Sequence, residues 1–278
     1  MKLLLCLALL LLAFAARADR WHPYVMPYYE QIRYGDSAFK DHAQVAGCYL
    51  AVGDGMTQLV EVDAERMELT RIRLPLYHQW DTTVAYTRYP SAAWRVRLGG
   101  HYIDADDPAT DTGRTAFLGA TYTRGAGEVG CDAYLSDYPR ARPALTILQT
   151  SPHVGVTLTR GRAIWHAVLT AHAIRTEEMP GFRAGTRLSG EGALTLDAAG
   201  WTLHGSAWAG RQLFAVRNDG FTVYNVAEEH LAGAVASVSR TVRGATVTLQ
   251  LQHERWHDAL RDDVAYSTSL LGLVGVGW

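Results

Sequence analysis

The sequence predicts an all-β protein: a transmembrane antiparallel up-and-down β-barrel of fourteen strands, with twelve or sixteen as the other counts it allows. Three observations point there. Apolar and polar residues alternate with period two through most of the 278 residues, as in strands that differ on their two faces. The alternating runs are ten to fifteen residues long, enough for a tilted membrane crossing of ~9–11 residues. Short turns alternate with other, mostly longer connections, as expected when the two rims of a barrel face different compartments. A soluble two-sheet sandwich would bury the same apolar faces against each other, but it has no need of such long strands.

In chain order, residues 1–18 come first. Lys2, an unbroken apolar run from Leu3 to Ala16 and the triplet Ala16-Arg17-Ala18 match a secretory signal peptide, so a mature chain of one barrel domain is expected over residues 19–278. Removing Lys2 and Arg17 with the leader takes the formal charge from −2 to −4, which gives no sign of a nucleic-acid partner. Cys48 and Cys131 are then the only cysteines, and no C-x-x-C motif is present. Both fall in the outward phase, so small apolar roles are expected, with no metal and no cofactor.

Six short turns follow: Gly53–Gly55, Pro90–Ala92, Gly125–Gly127, Arg160–Arg162, Asp197–Gly200 and Arg243–Gly244. Between them lie Gly35–Asp41, Leu74–Gln79, Asp104–Gly113, Pro139–Pro143, Thr176–Gly185, Ala215–Glu229 and His257–Asp263. Trp21–Tyr34 and Ala64–Gln79 alternate poorly; the run Asp63–Arg71 fits a short helix or, in phase with Glu61 and Thr70, a strand. The clean strands show the expected sidedness. Val247, Leu249 and Leu251 oppose Thr248, Gln250 and Gln252; Trp94, Leu98 and Tyr102 oppose Arg95, Arg97 and His101. Pro152 sits within a long strand candidate and cannot donate to a ladder, so a bulge or kink is expected there.

The sequence ends on Leu270-Leu-Gly-Leu-Val-Gly-Val-Gly-Trp278, with Val274, Val276 and Trp278 on one face. This pattern, with the signal peptide and strand rhythm, resembles the outer-membrane β-barrel superfamily of Gram-negative bacteria, porin-like but of no identified subfamily. There the last strand usually closes on an aromatic residue read by the barrel assembly machinery. Phe is the commoner final residue in that superfamily, and its usual upstream glycine is offset here, at Gly272. The resemblance implies residence in the outer membrane, contact with its lipid, and an assembly signal at Trp278, Val276 and Val274.

With polar faces inward, the expected lumen lining includes Arg95, Arg97, Glu128, Asp132, Glu191 and Glu254, with Glu61 and Asp63 nearby. An Arg cluster across the ring from Glu254 would set a transverse field over a water path; alternatively, the charges pair and fill the barrel. A three-residue turn at Pro90–Ala92 would set Asp81 opposite His101, and His78 opposite Asp104. Asp81 and His101 are the candidate catalytic groups, although cross-strand pairing is the ordinary role of such residues. His166, His172 and His204 also face inward. The leading expectation is a monomeric channel passing small polar solutes by passive diffusion. An outer-membrane hydrolase using Asp81 and His101, and a scaffold or export exit for a periplasmic partner, are the alternatives.

Overall fold

The computed structural model describes residues 21–178, 182–224, 228–258 and 263–277. The proposed signal peptide and Trp278 therefore lie outside the described residues. Fourteen long strands form one closed antiparallel barrel. They are β1 (His22–Gly35), β2 (Lys40–Gly53), β3 (Gln58–Arg71), β4 (Tyr77–Ser91), β5 (Trp94–Ala105), β6 (Arg114–Arg124) and β7 (Gly127–Tyr138). They continue as β8 (Leu145–Arg160), β9 (Ala163–Thr176), β10 (Gly185–Ala198), β11 (Trp201–Leu213), β14 (Glu228–Val242), β15 (Ala245–Asp258) and β16 (Asp263–Gly277). Two short strands, β12 (Val216–Arg217) and β13 (Thr222–Val223), belong to the connection between β11 and β14 and pair only with each other.

Neighbours in sequence pair around the ring, and β1 closes on β16 with Tyr29 opposite Gly272 and Ile32 opposite Ser269. Closure removes the free sheet edge whose unpaired backbone groups hydrocarbon could not solvate. The six expected short turns all lie on one rim, and the other connections on the opposite rim. Both segments that alternate poorly contribute strands: Trp21–Tyr34 yields β1, and Asp63–Arg71 lies in β3 rather than in a helix.

The alternation sorts the side chains as the period demands. Leu98, Leu118, Leu169, Leu188, Leu249 and Leu251 are each at least half exposed on the outside. Inward alternates such as Gln149, Ser151 and Thr83 are at most 3% exposed. Cys48 and Cys131 are free thiols on exposed positions. A belt of bare leucine and valine around a closed sheet is the surface that lipid wets.

Two local expectations are corrected. No bulge forms at Pro152. The ladder to β7 runs through Cys131–Pro152 unbroken, and the ladder to β9 skips residues 151 and 152 and resumes at the same offset. The missing N–H is thus absorbed by one gap. The β4–β5 hairpin turns over two residues, with Ser91 opposite Trp94 and a bulge before it. Its register is displaced by two from expectation: Thr83 faces His101, Asp81 faces Ile103, and Trp80, not His78, faces Asp104. A two-residue displacement preserves the face of every side chain.

Candidate functional site

The lumen is not a simple tube. The connection after β11, expected as an external loop over Ala215–Glu229, folds into the barrel as a small hairpin made of β12, a turn at Asn218–Gly220, and β13. Tyr224 N–H donates to the Ala215 carbonyl at 2.9 Å and closes its base.

Wall residues on opposite sides hold this tongue. On β8, the Gln149 amide donates to the Val216 carbonyl (2.7 Å) and accepts from the Val216 N–H (2.8 Å). Arg217 pairs with Glu191 of β10 at 2.7 Å, and its guanidinium lies 3.7 Å from the Trp208 ring centre. Arg97 of β5 donates to the Asp219 carbonyl (3.3 Å), pairs with Glu61 of β3, and lies 5.1 Å from the Phe221 ring. The Tyr224 hydroxyl donates to Glu254 at 2.5 Å, its ring stacked 3.8 Å from that of His230. Charged partners across a water-poor space fix geometry more than they add stability.

Gly220 shows why the tip takes this sequence. Its φ is +97°, and a Cβ there would lie 2.4 Å from the Phe117 ring. Asn218 and Asp219 also take positive φ, a conformation that short polar residues tolerate. Behind the tongue, Phe214 and Ala215 join Ile103, Tyr138, Leu145, Ile147, Ile174 and Leu213 in an apolar cluster. These wall residues belong to the ends of β5, β7, β8, β9 and β11 nearest the longer connections, so that half of the lumen is plugged at this rim.

The other half holds a cavity of its own. A cavity of about 430 Å³ follows the inner face of β1 through Met26, Tyr28, Glu30, Ile32 and Tyr34, and reaches Leu273 on β16. Its carboxylates are Glu30, Asp63, Glu65, Asp81, Glu228 and Glu254, and its one lysine, Lys40, is paired with Glu228 at 2.6 Å. Tyr28 donates between Asp63 (3.0 Å) and Glu65 (2.7 Å), placing three polar groups at the waist of this route.

The residues singled out in the sequence divide between the two halves. Glu254, Asp81 and His101 line this cavity, whereas Arg95, Glu128, Asp132 and Glu191 line a separate chamber on the other side of the tongue. Arg97 is buried between Glu61 and Phe221. Among the described residues no Arg cluster faces Glu254 across the lumen: Arg97 is held by Glu61, and Arg95 faces Asp219 of the tongue at 3.7 Å. His101 Nε2 meets Asp81 at 3.2 Å along the diagonal, and its Nδ1 meets the Thr83 hydroxyl at 2.7 Å. Thr83 is 1% exposed, so both imidazole nitrogens are engaged within the wall. His78 pairs with Asp106 at 2.8 Å. His204 meets the Thr195 hydroxyl at 3.0 Å. Among the described residues no cluster of three or more His, Cys, Asp or Glu could hold a metal ion. Val274 and Val276 face outward.

Gln149, Arg217, Gly220, Phe221, Tyr224, Tyr28, Glu30 and Glu65 were not singled out from the sequence. One signal was there for the tongue: Phe214, Phe221 and Tyr224 flank an Asn-Asp-Gly turn in a connection too aromatic for a solvated loop.

No protein-family model matches this sequence, and no curated protein matches it. Solved structures do. A CymD monoaromatic hydrocarbon channel superposes with a TM-score of 0.58 at 6% identity, covering 96% of this chain and 91% of that one. A bacterial polysaccharide outer membrane secretin superposes with a TM-score of 0.55 at 10% identity, covering 94% and 99%. At these identities the likeness is one of fold: this chain has the closed-barrel architecture of outer-membrane proteins.

Proposed function

We propose that this chain is an outer-membrane channel for passive diffusion of small polar solutes, conducting along the route beside β1. The observation that carries this reading is the acid-lined cavity beside β1, which runs along the wall away from the Phe214 cluster. The apolar outer belt supports residence in a lipid bilayer, and one of the solved barrels sharing the fold is described as a channel. In this reading export follows cleavage after Ala18, and Val274, Val276 and Trp278 serve the assembly machinery. The short-turn rim faces the periplasm.

The route's charge sets its preference. Glu30, Asp63, Glu65, Asp81 and Glu254 face only one lysine, itself engaged by Glu228. Wall carboxylates in a narrow, low-dielectric passage raise the local cation concentration and repel anions. Reversal potentials of refolded protein in a planar bilayer under a KCl gradient test this. Cation-preferring conductance is expected, lowered in selectivity by Glu30→Gln with Glu65→Gln. Silence at every voltage removes the channel reading, and an anion preference removes the route.

A further inference from the structure

The chamber on the other side of the tongue is a site in its own right. It encloses about 430 Å³ between β4–β10 and Val216–Asp219 of the tongue. Residues of the β4–β5 turn line its mouth at the short-turn rim, and Ile147, Ile174 and Phe214 fill the barrel beyond its far end. This is the size of an ordinary small-molecule pocket, and it leads nowhere. A dead end holds solutes; it does not pass them.

Three histidine–carboxylate couples line its walls. His166 Nε2 lies 3.2 Å from Glu128, His153 Nδ1 lies 3.4 Å from Asp132, and His172 Nε2 lies 3.6 Å from Glu191. The deepest couple is incomplete. The Ser151 hydroxyl accepts from the Gln149 amide at 3.0 Å and lies 2.9 Å from His172 Nδ1. Glu191 beside Nε2 favours the ring proton of neutral His172 there, so that Nδ1 accepts from the Ser151 hydroxyl. That N–H belongs to a residue 7% exposed, and Glu191, at 3.6 Å, stands just beyond ordinary hydrogen-bond length from it. A buried donor held short of its acceptor is costly, so the chamber favours a ligand acceptor beside this carboxylate.

The pairing restricts the chemistry. Arg95 and Arg217 face four carboxylates, Glu128, Asp132, Glu191 and Asp219, which disfavours an anion. A cation satisfies the carboxylates and opposes the imidazole N–H groups. A hydroxyl does both tasks, accepting from the N–H and donating to the carboxylate. We propose that this chamber binds a neutral polyhydroxylated solute, of monosaccharide to disaccharide size, entering from the short-turn rim.

Binding is measured without reference to conductance, so this proposal and the channel reading fail separately. Folded protein in lauryldimethylamine oxide micelles, a detergent with no sugar headgroup, is titrated calorimetrically with glucose, galactose, sucrose and maltose, and with L-arginine and citrate as the charged probes. At least one saccharide is expected to saturate, weakened tenfold or more by His172→Leu and by Glu191→Gln and unchanged by Glu30→Gln. The heat-modifiable gel shift shows that each variant has closed its barrel. Should His172→Leu not fold, Ser151→Ala replaces it, since it frees Nδ1 and disturbs the tautomer with little change in shape. No saturable saccharide, saturation untouched by these variants, or saturation by arginine or citrate alone each overturns the proposal.

Discussion

Replacing Gly220 with Val should release the tip of the tongue. The new residue would have to hold φ near +97°, where a non-glycine residue costs roughly 1–3 kcal/mol. Its Cβ would lie 2.4 Å from one carbon of the Phe117 ring and 2.7 Å from two others. That ring is 6% exposed, with the Tyr134 ring 6.1 Å and the Arg97 guanidinium 5.8 Å away, so it has little room to retreat. Overpacking of this kind costs about 1–3 kcal/mol more. The combined ~2–6 kcal/mol matches what the Gln149 bonds and the Arg217–Glu191 pair contribute, at ~0.5–1.5 and ~1.5–3 kcal/mol each. Even the lower bound shifts the docked-to-released ratio about thirtyfold. Gly244→Ala is the control, because Gly244 also has positive φ but nothing within 4 Å of its would-be Cβ. The assays are single-channel conductance and trypsin cleavage after Arg217, whose side chain is 10% exposed in the docked tongue. Larger, noisier conductance and new cleavage are expected for Gly220→Val only. Wild-type conductance with full protection would refute the account of how the tip is held.

Other outcomes follow from the same geometry. Lys40→Met strands Glu228 without its partner among the rings of Tyr34 and Trp256, 5.1 and 4.8 Å from the ammonium; a loss of ~3–5 kcal/mol should lower the temperature of the heat-modifiable gel shift. Leu249→Arg puts a cation on the lipid face at a cost of ~2–4 kcal/mol if it lies near the midplane, and should reduce folding yield into vesicles far more than Gln250→Arg on the neighbouring inward position. Equal yields would reverse the sidedness. Asp54, in the turn after β2, is held well below the usual carboxylate range, first by the Thr57 hydroxyl and then by backbone N–H groups of Thr57 and Met56. A depressed folded value means that its support is complete above the ordinary range and is lost only as pH falls through the folded value. Amide exchange at Met56 and Thr57 should therefore stay slow down to about pH 4, the ordinary Asp value, and become fast at neutral pH in Asp54→Ala.

The barrel wall was legible in the sequence because one physical asymmetry writes it. Lipid selects Leu98, Leu169 and Leu249 at every second position, and tight turns such as Arg243–Gly244 interrupt the rhythm at regular intervals. What failed was decided by partners distant in the chain. The β4–β5 register depends on whether the hairpin turns over two residues or three, and both choices keep Asp81 and His101 on the inner face. Glu61 claims Arg97 across β4 from 36 residues away, so the charge map of an open tube did not survive the fold. The tongue docks through Gln149, 67 residues upstream, whose role no local pattern announces.

The width of the wall explains why an inner segment is needed at all. Eight strands enclose a space that side chains alone can fill, whereas sixteen or more leave an aqueous channel. Fourteen fall between. An unfilled lumen of this width would leave the inward sides of Arg97, Gln149 and Glu191 to water. A short hairpin satisfies them and is itself satisfied, because its exposed backbone at Val216 finds an amide and its arginine finds a carboxylate. The packing is lopsided: Phe214 and Ala215 bring apolar bulk to the β5–β11 side, while Phe221, Thr222, Val223 and Tyr224 line the cavity on the other. That asymmetry, more than any single charged residue, divides one wide lumen into an acid-lined cavity and a histidine-lined chamber.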